Sequence, residues 1–151
     1  MKPPALDPAT VAPRIGTGYP EPLGTPCAQR EKRALGNALG ITRYGVNLTR
    51  LPPGTWSAQR HWHTQQDEFV YVLEGELVLV TDAGEQVLRP GMAAGFPAGT
   101  PDGHHLVNRS DAPAVYLEVG DRQTGDAVHY PDVYLFVAPD LTFRHKSGEP
   151  Y

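Results

Sequence analysis

Apolar and polar positions alternate over short runs along most of this chain, and no stretch keeps the spacing of a long amphipathic helix. Glu68-Phe-Val-Tyr-Val-Leu73 is rich in β-branched and aromatic residues, which suit a pleated, half-buried strand. Before it, Ile41–Leu51 reads as a strand ended by Pro52-Pro53-Gly54, and Trp56–His63 as a second. After a bend at Gly75 the pattern resumes over Glu76–Thr81. Asp82-Ala-Gly84 predicts a hairpin loop, with glycine available for positive φ. Glu85–Leu88 returns, Arg89-Pro-Gly91 turns again, and Ala93–Phe96, His104–Asn108 and Ala114–Val119 supply further strands. Strands this closely spaced predict an antiparallel sandwich or barrel.

The two ends read differently. Residues 1–27 hold seven of the sixteen prolines, which predicts an extended arm lying over the barrel or over a partner subunit. The expected division is an arm over residues 1–30 and one domain over 31–151, including C-terminal edge strands. Gln29–Leu35 is a charge run that reads as a solvated turn or short helix, with binding of a substrate anion the less favoured alternative. In the tail, Val133–Val137 is apolar enough for a buried edge strand, followed by Leu141–His145. An exposed apolar edge invites aggregation, so this one is expected to be covered, and a homodimer is the expected assembly.

Composition narrows the function classes. With 151 residues the chain is long enough for one core. A net charge of −4 and a pI of about 5.8, without a Lys or Arg run, argue against a nucleic-acid partner. Cys27 is alone, so no internal disulfide framework exists. The chain opens without the apolar core of a signal peptide. No apolar stretch reaches the ~20 residues needed to cross a bilayer. A cytoplasmic location with no membrane partner is the simplest expectation.

Candidate chemistry gathers between Gly54 and Gly75. His61 and His63 are two residues apart, so on a strand both imidazoles project from one face. Four residues later Glu68 opens the next strand and can face the same cavity. Two nitrogens and a carboxylate converging from neighbouring strands are most of a first-row metal site.

Gly54, His61-x-His63, Glu68 and Gly75 resemble the first signature motif of the cupins, one residue loose between Gly54 and His61. Gly91, Pro97-x-Gly99, His104 and Asn108 resemble the second, although Thr100-Pro-Asp-Gly103 makes its loop two residues longer than usual. Asn47–Gly54, Asp102–Ser110 and Tyr116–Asp121 also look like a subgroup of small, single-domain bacterial conserved-barrel cupins. The resemblance implies an all-β fold, a double-stranded β-helix (jelly-roll) cupin barrel preceded by the proline-rich arm. It also implies one divalent transition metal per chain, held by His61, His63, Glu68 and His104.

Counting back by twos from Asn108 places His104 on the site face and His105 on the other. If the longer loop shifts the register, His105 or Asp102 takes the position instead. Asp67 competes with Glu68, which the six residues to Gly75 favour. Pleat parity nominates Gln59 and Asn108 as partners of the ligands. Trp56, Tyr71 and Phe96 are candidates for pocket lining, although barrel packing alone more often explains such residues. Three histidines and a carboxylate suit Zn, Fe, Mn, Ni or Co and leave open positions. The expected function is a small metalloenzyme acting on a small polar organic molecule, with oxygenase, isomerase and lyase chemistry unresolved. The alternative is a non-catalytic metal- or metabolite-binding module, which the lack of a helix-turn-helix pattern makes less favoured.

Overall fold

The strand with the strongest alternation keeps it in three dimensions. Val70 and Val72 are buried while Phe69, Tyr71 and Leu73 face outward. The structure, a computed structural model, describes residues 3–151; the first two residues of the expected arm lie outside them. Its strands are β1 (Arg14–Ile15), β2 (Glu31–Ala34), β3 (Tyr44–Leu51), β4 (Trp62–His63), β5 (Glu68–Glu74), β6 (Leu77–Thr81) and β7 (Gly84–Leu88). They continue with β8 (Ala93–Phe96), β9 (His105–Val107), β10 (Ala114–Asp121), β11 (Val128–His129), β12 (Phe136–Val137) and β13 (Phe143–Arg144). One helical turn, α1 (Leu35–Ala38), follows β2. No helix among the described residues is long and apolar enough to cross a membrane.

The strands form three antiparallel sheets, ordered β1-β2-β3-β10-β5-β8, β13-β12-β11-β4 and β7-β6-β9. Among the described residues these sheets do not join into one hydrogen-bonded ring. Isolated bridges, Trp56 to Val107 and His61 to His104, tie the segment before β4 to the β9 region. The main core lies between the six-stranded and three-stranded sheets. It joins Leu51, Val70, Val72, Ala114 and Tyr116 to Leu77, Leu79, Leu88 and Leu106. A second cluster, Val128, Tyr130, Leu135 and Val137, packs Tyr19 and Leu23 of the arm against the tail.

Register on the inner face of the large sheet positions the site. One row across it reads Gly45, Gly120, Glu68, Phe96; the next reads Asn47, Glu118, Val70, Ala94. The third reads Lys32, Thr49, Tyr116, Val72. The two glycines beside Glu68 leave its row open where larger residues would fill it.

Three expectations change. Gln29–Leu35 is not a solvated turn: Glu31–Ala34 forms β2, because register supplies its charges with partners. Glu31 meets Arg50 at 3.3 Å, and Lys32 reaches Glu118 at 2.5 Å. Trp56–His63 is a strand only at its end, since its earlier backbone groups bond in turn to Pro26, Leu106 and His104. The apolar edge at Val133–Val137 is covered by this same chain, with β12 paired to β11 and β13 and Leu135 fully buried.

Candidate metal centre

Glu68 begins β5, while His61 and His63 arrive on the segment ending in β4, and His104 sits immediately before β9. The His61–His104 bridge, with backbone bonds of 3.2 and 2.9 Å, fixes these segments against each other. The Nε2 atoms then converge on one carboxylate. His104 lies 2.6 Å and His61 3.5 Å from Glu68 Oε2, and His63 lies 3.2 Å from Oε1. His61, Glu68 and His104 form a group able to hold a metal ion, each offering a ligand atom within 4.8 Å of the others. His63 flanks it on the other carboxylate oxygen.

The outer hydrogen bonds say what this cluster is built to hold. His61 Nδ1–H donates to the Gln59 carbonyl at 2.8 Å, and His63 Nδ1–H to Asp126 Oδ2 at 2.6 Å. Neutral rings held this way turn their Nε2 lone pairs toward Glu68, so acceptors face acceptors. Such an arrangement needs a cation between them or a proton added to a ring. A divalent metal fits this donor set. His104 is held differently: Phe96 stacks on it at 3.6 Å and 2°, and its buried Nδ1 has no hydrogen-bond partner among the described residues.

Charge in the chain alone follows from the same contacts. Burial opposes a charged His63, but the carboxylates of Glu68 and Asp126 outweigh it and raise its pKa to about 9. Burial likewise opposes a charged Glu68, yet His61, His104 and His63 hold it well below the usual carboxylate range. Burial lowers the pKa of His104. Because the folded-state pKa of His63 is raised, its stabilisation is present below the unfolded value of about 6.5 and disappears as pH rises through about 9. Metal-depleted protein is therefore expected to melt at lower temperature as pH rises over that window. Metal uptake is expected to strengthen over the same window, because the ion would compete with that proton. Melting curves with and without chelator check both trends.

The other nominated residues are placed as follows. His105 turns away from Glu68: its Nδ1–H donates to the Ala58 carbonyl at 2.8 Å, and its ring packs edge-on to Trp56 at 4.9 Å. The longer loop does not move it inward, because Asp102 is used locally, accepting the Asp82 N–H at 2.8 Å. Asp67 accepts the Ala98 N–H at 2.8 Å on the outside of the site. Gln59 supports His61 through its carbonyl, while its side chain donates to the Leu23 carbonyl. Asn108 faces elsewhere, its amide donating to the carbonyls of Leu51 and Ala112. Tyr71 is on the exposed face, and Phe96 lines the cavity.

Sequence reasoning missed Asp126. It is 5% exposed, and besides His63 it accepts the Gln65 N–H at 2.8 Å. It lies in a loop far along the chain, so no pleat parity or motif spacing points to it. Asp126→Asn is expected to lower metal affinity by about 10–100-fold while the protein stays folded. Metal titration against a competing chelator, with a melting curve as control, measures this.

The cluster opens into a cavity of about 400 Å³. Its wall includes Arg30, Lys32, Asn47, Glu118 and Arg122, together with Tyr19 and Tyr130 from the second core cluster.

Residues 47–120 match the cupin domain family. Over nearly its whole length the chain is also similar to a crystal structure of a sugar phosphate isomerase from a cupin superfamily, from Silicibacter pomeroyi. Identity is 45%, the TM-score is 0.92, and the match covers 98% of this chain and 96% of that one. The chain belongs to the cupin superfamily. A proposed sugar phosphate isomerase from Acidithiobacillus ferrooxidans matches this cupin at 30% identity and a TM-score of 0.69, covering 78% of this chain and 72% of that one. A polyketide cyclase from Streptomyces resistomycificus, 24% identical with a TM-score of 0.65 over 82% and 80% of the two chains, shares the fold. No curated protein matches the sequence.

Proposed function

We propose that this cupin is a metal-dependent isomerase of phosphorylated sugars. The observation that carries the reading is the 45% identity, over 98% of the chain, to a protein described as a sugar phosphate isomerase. The cavity is consistent with it: a space of about 400 Å³ joins the histidine–carboxylate cluster to Arg30 and Arg122, cations suited to a phosphorylated ligand. His61, His63, Glu68 and His104 would hold the ion, which supplies Lewis-acid polarisation of a substrate carbonyl and its neighbouring hydroxyl. Phe96 holds the His104 ring by stacking. Burial pushes the Tyr19 phenol up to about 12 and that of Tyr130 well above its ordinary value, so both stay neutral hydrogen-bond donors in the cavity wall.

The test is turnover of aldose and ketose phosphates by protein loaded separately with Zn, Fe, Mn, Ni or Co, followed by proton NMR. Conversion of a phosphorylated sugar, lost when its phosphate is removed, is the expected result. Metal-dependent binding without conversion in every form would replace the isomerase with a metabolite-binding module.

We also propose that two copies associate, through the outer face of the six-stranded sheet rather than the tail. Phe69, Tyr71 and Leu73 stand there 43%, 38% and 40% exposed, beside Leu117 and Val119 in register. An isologous contact through such a face suits a two-fold dimer. Sedimentation should give a two-chain mass that falls to one in Tyr71→Lys; a one-chain mass for the unaltered protein at micromolar concentration would refute it.

A further inference from the structure

The cavity holds a second carboxylate that the metal centre does not use. Glu118 lies on β10 with its side chain on the same inner face as Glu68, one row along: Glu68 pairs with Gly120, and Glu118 with Val70. Diagonal neighbours of this kind are about 7–8 Å apart, room for a two-carbon unit bearing an oxygen on each carbon. The two oxygens of Glu118 are not equivalent. Lys32 Nζ at 2.5 Å, Asn47 Nδ2 at 3.2 Å and Thr49 Oγ1 at 3.4 Å all reach Oε1. Among the described residues no donor reaches Oε2. One oxygen is clamped by three donors, and the other is left for the cavity that Glu118 lines. Both oxygens of Glu68, by contrast, are occupied by imidazole nitrogens.

We propose that Glu118 is the proton-transfer base of this cavity, moving a proton between adjacent carbons of the substrate. The proposal rests on the isomerase reading above. In an aldose–ketose interconversion the substrate is its own oxidant and reductant, so no co-reactant is required. Oε2 takes the proton from C2, and the C–H electron pair forms the C1–C2 double bond as the carbonyl pair moves to O1. Glu118 then returns the proton to C1, the double-bond pair forming the new C–H bond, while a lone pair of O2 makes the C2 carbonyl. The O2 proton ends on O1. Lys32 balances the carboxylate's charge before the proton is taken and after it is returned and, with Asn47 and Thr49, prevents rotation of the group, so the reacting oxygen is pre-positioned.

Glu118→Gln tests this with little disturbance, because the amide oxygen can still accept from Lys32, Asn47 and Thr49. Expected is a fall in kcat of about a hundred- to ten-thousand-fold, with substrate dissociation constant by calorimetry and metal content by elemental analysis within about threefold of the unaltered protein. Should that variant not fold, Glu118→Asp, which withdraws the carboxylate by one methylene, must lower kcat with the same two controls unchanged. A kcat within about fivefold of the unaltered enzyme would overturn the proposal. So would a loss of kcat matched by equal loss of substrate or metal, which marks a structural role. Absence of turnover in the unaltered, metal-loaded protein would overturn both readings; an active enzyme indifferent to Glu118 overturns this one alone.

Discussion

Replacement of His61 or His63 by alanine is expected to weaken metal binding by orders of magnitude and leave a folded protein. The loss should exceed the roughly 10–100-fold attached to an outer hydrogen-bond partner, because each imidazole offers a donor atom within 3.5 Å of Glu68. The fold should survive because neither ring belongs to the two apolar clusters. The two variants should still differ in stability. His63→Ala leaves the buried Asp126 carboxylate without its imidazole partner, retaining the Gln65 N–H and a long contact from Thr64. Partial loss of partners by a buried acceptor costs about 1–3 kcal/mol. Beyond the Glu68 contact that both variants lose, His61→Ala frees a backbone carbonyl rather than a buried carboxylate, so it should melt at the higher temperature of the two. Elemental analysis after dialysis, paired with thermal melts, reads both effects, and a full metal complement in both variants would remove these residues from the site.

Gly75→Ala is expected to be the most damaging change to the fold itself. Gly75 bends the chain between β5, which carries Glu68, and β6, which enters the core. Its φ is +75°, and an added Cβ would meet Pro113 O at 2.6 Å and Ala114 Cα at 2.8 Å. Those atoms are backbone of the segment leading into β10 and cannot rotate away. Left-handed φ costs a non-glycine residue about 1–2 kcal/mol, and overpacking typically adds about 1–3 kcal/mol or more. The total is a large share of a domain's usual stability of about 5–15 kcal/mol. Gly54→Ala is the control: its φ is +78°, yet nothing lies within 4 Å of the added Cβ. Urea melts should show Gly54→Ala losing only the backbone component and Gly75→Ala losing several times more. Equal losses would mean that the Pro113–Ala114 approach is not what demands glycine.

Local pattern read the long strands correctly, for a physical reason. Alternation in β5 and the apolar run of β6 are set by which face each residue shows, and a two-residue period does not depend on distant chain. The family was legible in the same way, through glycines and histidines at spacings that a turn and a pleat impose. Short pieces were not legible. β2 is a charge run that becomes a strand because Arg50 stands opposite Glu31 on β3 and Glu118, one strand further on β10, is within reach of Lys32. Asn108 was misjudged by parity because it lies past the end of β9, where the pleat no longer applies.

By itself, then, the sequence determined the β architecture, the family, and the histidine–carboxylate set from which a metal site can be drawn. These depend on residue type and near spacing, which act within a turn or a strand. Tertiary structure decided that His104 and not His105 meets Glu68 and that Asp126 orients His63. It also decided that Glu118, Lys32 and Asn47 share the cavity with the histidine–carboxylate cluster. Each of those pairings joins residues more than thirty positions apart. Nothing in a local period says which distant strand will lie alongside, and only the register of the assembled sheets brings them to one place.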